Sequence, residues 1–144
     1  MSTEGFNFQT EWVSAANKHV LNQVADGVFD EDIKPERLER YLSNPLNWMV
    51  VAVFDEVVVG QCMSVVHHHP DKEAELYLDE IGTGDDWRRR GIAKTLMKEV
   101  TKRADAEGID EIWLGTEPDN IPAMGLYEGT GAVGEEALIY YLEW

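Results

Sequence analysis

A chain of 144 residues is long enough for one hydrophobic core, and 44% hydrophobic with 10% aromatic residues exclude wholesale disorder. The net charge of −16 repels nucleic acid and favours cationic partners. No run approaches the roughly 20 apolar residues that span a bilayer, and Met1-Ser2-Thr3-Glu4-Gly5 lacks a signal-peptide pattern; the expectation is a soluble cytoplasmic protein with no nucleic-acid or membrane partner.

Phe6, Phe8 and Trp12 share one alternating face and predict an opening strand. Ser14 can cap a helix from Ala15 to about Ala25 that buries Val20, Leu21 and Val24. Pro35 suits the first turn of a second helix, running to about Leu42. Trp48 to Phe54 is a strongly apolar strand, and Asp55-Glu56 turns it into a partner from Val57 to Val66. Cys62, the sole cysteine, lies in that apolar run; it reads as a small buried residue, because a catalytic thiol needs an activating neighbourhood.

A connection over His67 to Lys72 leads to a strand from about Glu75 to Thr83. Adjacent histidines on an extended segment alternate between faces, and no Cys or Glu stands at ligand spacing, so His67-His68-His69 predicts no metal site. Ile92, Leu96, Val100 and Ala104 then recur every four residues, the period of an amphipathic helix, which Gly108 ends. A strand is expected from Glu111 to Thr116, and a short helix from Asn120-Ile121-Pro122 to about Tyr127. Gly129-Thr130-Gly131 breaks that helix, and Ala137 to Glu143 forms a closing strand. The order is that of an α+β domain spanning residues 1–144, not of a regularly alternating doubly wound sheet.

The basic residues are concentrated where the chemistry points. Seven of the twelve Lys and Arg fall between Arg88 and Arg103, and none follows Arg103, where ten Asp and Glu remain. The island coincides with Arg88-x-x-Gly91-x-Ala93 between a strand and a long helix. A helix start leaves backbone N–H groups unpaired at a partly positive dipole end. Gly91 lets an anion approach the backbone, Ala93 adds little bulk, and Arg88 and Arg90 can add charge-assisted hydrogen bonds. Together they form a candidate diphosphate site. Neither the Gly-x-x-x-x-Gly-Lys-Ser/Thr of nucleotide hydrolases nor the Gly-x-Gly-x-x-Gly of dinucleotide folds occurs.

Downstream stand Thr116-Glu117-Pro118-Asp119-Asn120 and Ala123-x-x-x-Tyr127-x-x-x-Gly131. Joined to the Arg88 turn at this spacing, with Leu126-Tyr127, they make the sequence resemble the GNAT acetyltransferase superfamily over nearly its whole length. A narrower likeness is to aminoglycoside 3-N-acetyltransferases of the gentamicin type. It rests on Phe29-Asp30, Val51-Ala52, Val59-Gly60 and Glu75-Leu76-Tyr77-Leu78-Asp79-Glu80-Ile81. Thr83 replaces the family's usual branched aliphatic residue, and the glycine turn lacks the usual apolar residue before Gly131.

The resemblance implies a GNAT fold: a mixed, mostly antiparallel sheet of six to seven strands with about four helices. It implies acetyl-CoA as cosubstrate, held by Ile81, Gly82, Thr83, Arg88, Arg89, Arg90, Gly91, Ile92, Ala93, Asn120, Ala123 and Tyr127. It also implies direct attack by an amine in a ternary complex, with Tyr127 protonating the leaving thiolate and a backbone N–H between Ile81 and Thr83 polarising the thioester carbonyl. A free alkylammonium has a pKa of about 10.4 and needs a base; Glu80 is the first candidate. Asp79 is expected on the opposite strand face, and Asp79, Glu117 and Asp119 are candidates for binding a cationic substrate. The leading expectation is acetylation of a small amine, an aminoglycoside at its 3-N position or a polyamine, with antibiotic resistance as the associated role. The alternatives are a protein lysine or N-terminal acetyltransferase and a non-catalytic acyl-CoA-binding regulatory module. Family members often form homodimers.

Overall fold

Asp55 and Glu56 both take positive φ, 51° and 67°, the signature of a two-residue turn whose twist matches the strands it joins. They link β2 (Asn47–Phe54) to β3 (Val57–His67) in an antiparallel hairpin at the centre of the sheet. The computed structural model describes residues 6–144. These divide into two compact units, one ending at Leu114 and one running from Gly115 to Trp144.

In the first unit the sheet has the order β1-β2-β3-β4-β5, with β1 at Gln9–Trp12, β4 at Glu75–Thr83 and β5 at Ile112–Trp113. All pairings are antiparallel except β4 with β5. Helix α2 (Ile92–Ala106) buries Ile92, Leu96, Met97, Val100 and Ala104 and packs against β2, β3 and β4. A second core cluster joins Leu21, Val28, Met49, Val51 and Val58 to Leu38 and Tyr41 of α1 (Pro35–Leu42). Each wholly buried Leu or Ile, such as Leu76, Ile92 or Leu96, contributes roughly 1.5–3 kcal/mol through its removal from water. Arg103 of α2 lies 4.1 Å from the Trp48 ring and 4.5 Å from the Trp12 ring, tying the helix to β1 and β2.

Four expectations need correction. The helix from Ala15 to Ala25 is only a single 3-10 turn, Lys18–Asn22. Asn17 accepts from the Ser14 amide and donates to the Trp12 carbonyl, which holds the chain in a turn. Beyond it, Val24 bridges Val58 in parallel, with Ala25 N–H donating to Val58 O and Val58 N–H to Gln23 O. Pairing with β3 therefore replaces the last helical turns, although Val20, Leu21 and Val24 do face the core as the periodicity required. The first strand is likewise shorter, since Phe6 and Phe8 precede β1; Phe6 packs instead on Phe54 and Trp87.

The strand over Glu111 to Thr116 is confined to the two residues that pair with Leu76 and Tyr77. Ala137 to Glu143 forms no strand: a strand needs a neighbouring backbone, and no ladder reaches residues 132–144 among the described residues. The described sheet thus has five strands rather than six or seven, with three α-helices and two 3-10 turns rather than four helices. In the second unit, α3 (Ile121–Gly129) is capped by the Asn120 side chain, which accepts from the Ala123 amide at 3.3 Å. No helix among the described residues is long and apolar enough to cross a membrane.

Candidate functional site

The basic turn is built by three backbone choices. A short 3-10 turn, Asp85–Trp87, follows β4. Arg89 then takes φ 62° and Gly91 φ 79°, both in the left-handed region. At Gly91 this conformation carries no side-chain penalty, and the space where a Cβ would stand is open. Helix α2 begins at Ile92 with no side-chain cap, and its first backbone bond is from Thr95 N–H to Gly91 O. The amides of Ile92, Ala93 and Lys94 consequently have no acceptor among the described residues. Unpaired donors at the positive end of a 15-residue helix are the arrangement that binds phosphate oxygens.

The three arginines of the turn are held differently. Arg88 is exposed and meets Asp85 at 3.4 Å, a surface pair worth at most about 1 kcal/mol that an anion can displace. Arg90 stands 5.1 Å from the centroids of both Phe6 and Trp87. The aromatic contacts orient its guanidinium while leaving its N–H donors for a ligand. Arg89 is exposed, and its positive φ re-aims the chain between the other two.

Beside the turn, β4 has a free edge. β5 pairs only with Leu76 and Tyr77, so the stretch holding Ile81, Gly82 and Thr83 is bonded to β3 on one side and has no strand on the other among the described residues. An extended ligand could add to that edge as a further strand.

Glu80, the expected base, is partly buried on the same strand. Burial is the main force raising its pKa above the ordinary value, and the charges of Asp30 and Asp79 act in the same direction. A hydrogen bond from Gln61, 3.4 Å from Nε2 to Oε1, works against them. The expected alternation of Asp79 and Glu80 is interrupted by a bulge: Met63 pairs with Glu80 and Ser64 with Leu78, leaving Asp79 as the extra residue. Tyr41 donates from its hydroxyl to Trp48 O at 2.7 Å, and burial with the nearby Asp79, Cys62 and Glu80 pushes its pKa up. Burial also pushes the Cys62 thiol up to about 12. A protonated thiol of this kind is no nucleophile, in keeping with the packing role read from the sequence.

The first unit therefore brings together Asp79, Glu80, Ile81, Gly82, Thr83 and Arg88 through Ala93 on β4 and the turn that follows it. The remaining candidates, Glu117, Asp119, Asn120, Ala123 and Tyr127, belong to the second unit. There Tyr127 is partly buried on α3, and its carbonyl accepts from Thr130 Oγ1 at 2.6 Å. Asn120 accepts the Ala123 amide with one lone pair of its side-chain oxygen, which leaves the second lone pair and the amide nitrogen for a ligand. Glu117 and Asp119 are exposed. Sequence reasoning missed Gln61, whose signal was a lone amide within the apolar run Val57 to Val66.

Among the histidines, His67 and His69 lie 4.0 and 3.6 Å from Glu75 Oε1. No group of three His, Cys, Asp or Glu among the described residues has the arrangement to hold a metal ion.

Comparison with known proteins gives this geometry a family. The mycothiol acetyltransferase of Brachybacterium faecium is 33% identical over 102 residues, covering 65% of this chain and 29% of that protein; the chain thus spans less than a third of that relative's length. An aminoglycoside acetyltransferase from an uncultured soil metagenomic sample, solved in complex with trehalose, superposes with a TM-score of 0.82 at 18% identity, covering 99% of each chain. AAC(6′)-Iy, in complex with the bisubstrate analog CoA-S-monomethyl-acetylneamine, gives a TM-score of 0.77 at 19% identity, covering 96% of this chain and 99% of that one. At these identities the two structures establish the fold. The model of the acetyltransferase (GNAT) family matches residues 12–132, and the chain belongs to that family.

Proposed function

We propose that the protein is an acetyl-CoA-dependent N-acetyltransferase acting on a primary amine of a small cation of the aminoglycoside or polyamine class. The observation that carries this reading is the unpartnered start of α2, where the Ile92, Ala93 and Lys94 amides lie beside Arg88 and Arg90. Such donors suit the pyrophosphate of CoA. Bound there, the cosubstrate supplies an activated thioester.

The chain's own residues supply the rest. The free edge of β4 at Ile81–Thr83 can pair with an extended pantetheine-like arm, and a backbone N–H of that edge can polarise the thioester carbonyl. Glu80, with its raised pKa, takes a proton from the substrate ammonium, directly or through water. Tyr127 is assigned the proton donor to the departing thiolate on its place in the Leu126-Tyr127-x-x-x-Gly131 pattern. Asp79, Glu117 and Asp119 are exposed carboxylates suited to the other ammonium groups of a polycation. The net charge of −16 favours such a substrate over an acidic one.

The two structures compared above are named as aminoglycoside acetyltransferases, which supports that substrate class. The narrower sequence likeness favours the 3-amino group, whereas AAC(6′)-Iy is named for the 6′ position. The test is thiol release from acetyl-CoA with a panel of kanamycin, spermidine and a lysine peptide. Turnover is expected with the first two and not the third, and product NMR gives the acetylated position. Tight CoA binding with no turnover on any amine would replace this reading with a non-catalytic acyl-CoA-binding module.

A further inference from the structure

Gln61 is wholly buried in β3, opposite Gly82 of β4. Its Nε2 donates to Val28 O at 3.2 Å and to Glu80 Oε1 at 3.4 Å, while its Oε1 has no donor among the described residues. An orphaned buried carbonyl is unfavourable, so an apolar residue would serve this core position better if packing were its only task. The two donated bonds are what distinguish glutamine here.

The surroundings are shaped around that amide. A Cβ at Gly82 would stand 2.1 Å from Val28 O and 3.2 Å from Gln61 Nε2. Only glycine allows the loop carbonyl to reach across β4 to the amide. The loop is further fastened by Ala25 N–H to Val58 O and by Asp85 N–H to Asp26 O. It also carries Asp30, whose charge acts on Glu80.

We propose that Gln61 is a positioning residue for the transfer reaction, its amide holding the Glu80 carboxylate and the Val28 loop in one fixed arrangement. This rests on the reading of Glu80 as the base. Three titratable groups surround Glu80 in the first unit: Asp30 from the loop, Asp79 on its own strand and Tyr41 from α1. The two carboxylates favour its neutral form, and burial does so more strongly; Gln61 alone favours the ionised form. Removing the amide therefore moves the proton affinity of Glu80 upward.

The test is a titration of protein labelled with carboxyl ¹³C in glutamate, with Glu80→Gln identifying the resonance. The midpoint of Glu80 is expected to rise by about 0.5–1 pH in Gln61→Met, a modest response in keeping with a long bond. The acid limb of kcat/KM with kanamycin should rise equally, lowering the rate on that limb about 3–10-fold, while acetyl-CoA affinity stays unchanged. Should Gln61→Met fail to fold, the wild type still decides: the side-chain ¹⁵N–¹H₂ signals of Gln61 must titrate with the Glu80 midpoint. An unmoved Glu80 midpoint in Gln61→Met, or Gln61 signals indifferent to pH, would overturn the proposal. If Glu80→Gln leaves the pH profile intact, the base assignment itself falls and the role of Gln61 goes with it.

Discussion

Glu80, the proposed base, would trade stability for chemistry. Its carboxyl is raised first by burial and then by Asp30 and Asp79, so the folded chain holds that proton more tightly than the unfolded chain. This contribution to stability is complete below the ordinary carboxylate range and is lost as pH rises through the raised value. Ionised Glu80 is accordingly a destabilising group at neutral pH, where a base must be ionised to work. Glu80→Gln should raise the Tm at pH 7, lose that advantage below about pH 4, and cut turnover throughout. Thermal scans at the two pH values check the sign; a Tm lowered at pH 7 would mean the carboxylate stabilises the fold. Cys62 makes the opposite case: its thiol, pushed up to about 12 by burial, stays protonated and out of reach of the thiol reagents used to follow CoA release.

The turn from β4 into α2 holds the proposed phosphate site. Arg88 gives up only a weak surface contact to Asp85, and Arg90 is already oriented by Phe6 and Trp87. Replacing both by Ala should weaken acetyl-CoA binding by about 1.5–3 kcal/mol for each charged hydrogen bond lost, without altering the far-UV spectrum. Calorimetric titration measures this, and equal affinity in the double variant would remove the turn from the site. These elements were legible because their signals are local. The four-residue repeat from Ile92 to Ala104 and the two-residue turn at Asp55-Glu56 depend on nearest neighbours and were read nearly to the residue. The segment from Ala15 to Ala25 was misread because its fate depends on Val58, a partner 34 positions beyond Val24. Gln61 escaped for the same reason, since its acceptors lie on Val28 and Glu80. The bulge at Asp79 is equally non-local, visible only once β3 and β4 are in register.

The whole molecule adds a field. A net charge of −16 with seven of twelve basic residues gathered between Arg88 and Arg103 separates a basic island, the proposed cofactor site, from an acidic body that attracts cations. Raising the ionic strength from about 0.01 M to about 0.15 M shortens the screening length from roughly 30 Å to roughly 8 Å. The KM for kanamycin should therefore increase over this range, and the KM for a hydroxyl-rich monoamine carrying a single charge should increase less. Identical salt dependence for the two acceptors would assign the acidic surface to solubility alone.

Whether the amides opening α2 hold the linked phosphates of CoA is read out by ¹⁵N–¹H correlation spectra during CoA titration. Large downfield shifts are expected at Ile92, Ala93 and Lys94 with CoA and none with pantetheine, which lacks the pyrophosphate. Shifts confined to other residues, or equal shifts with both ligands, would contradict it.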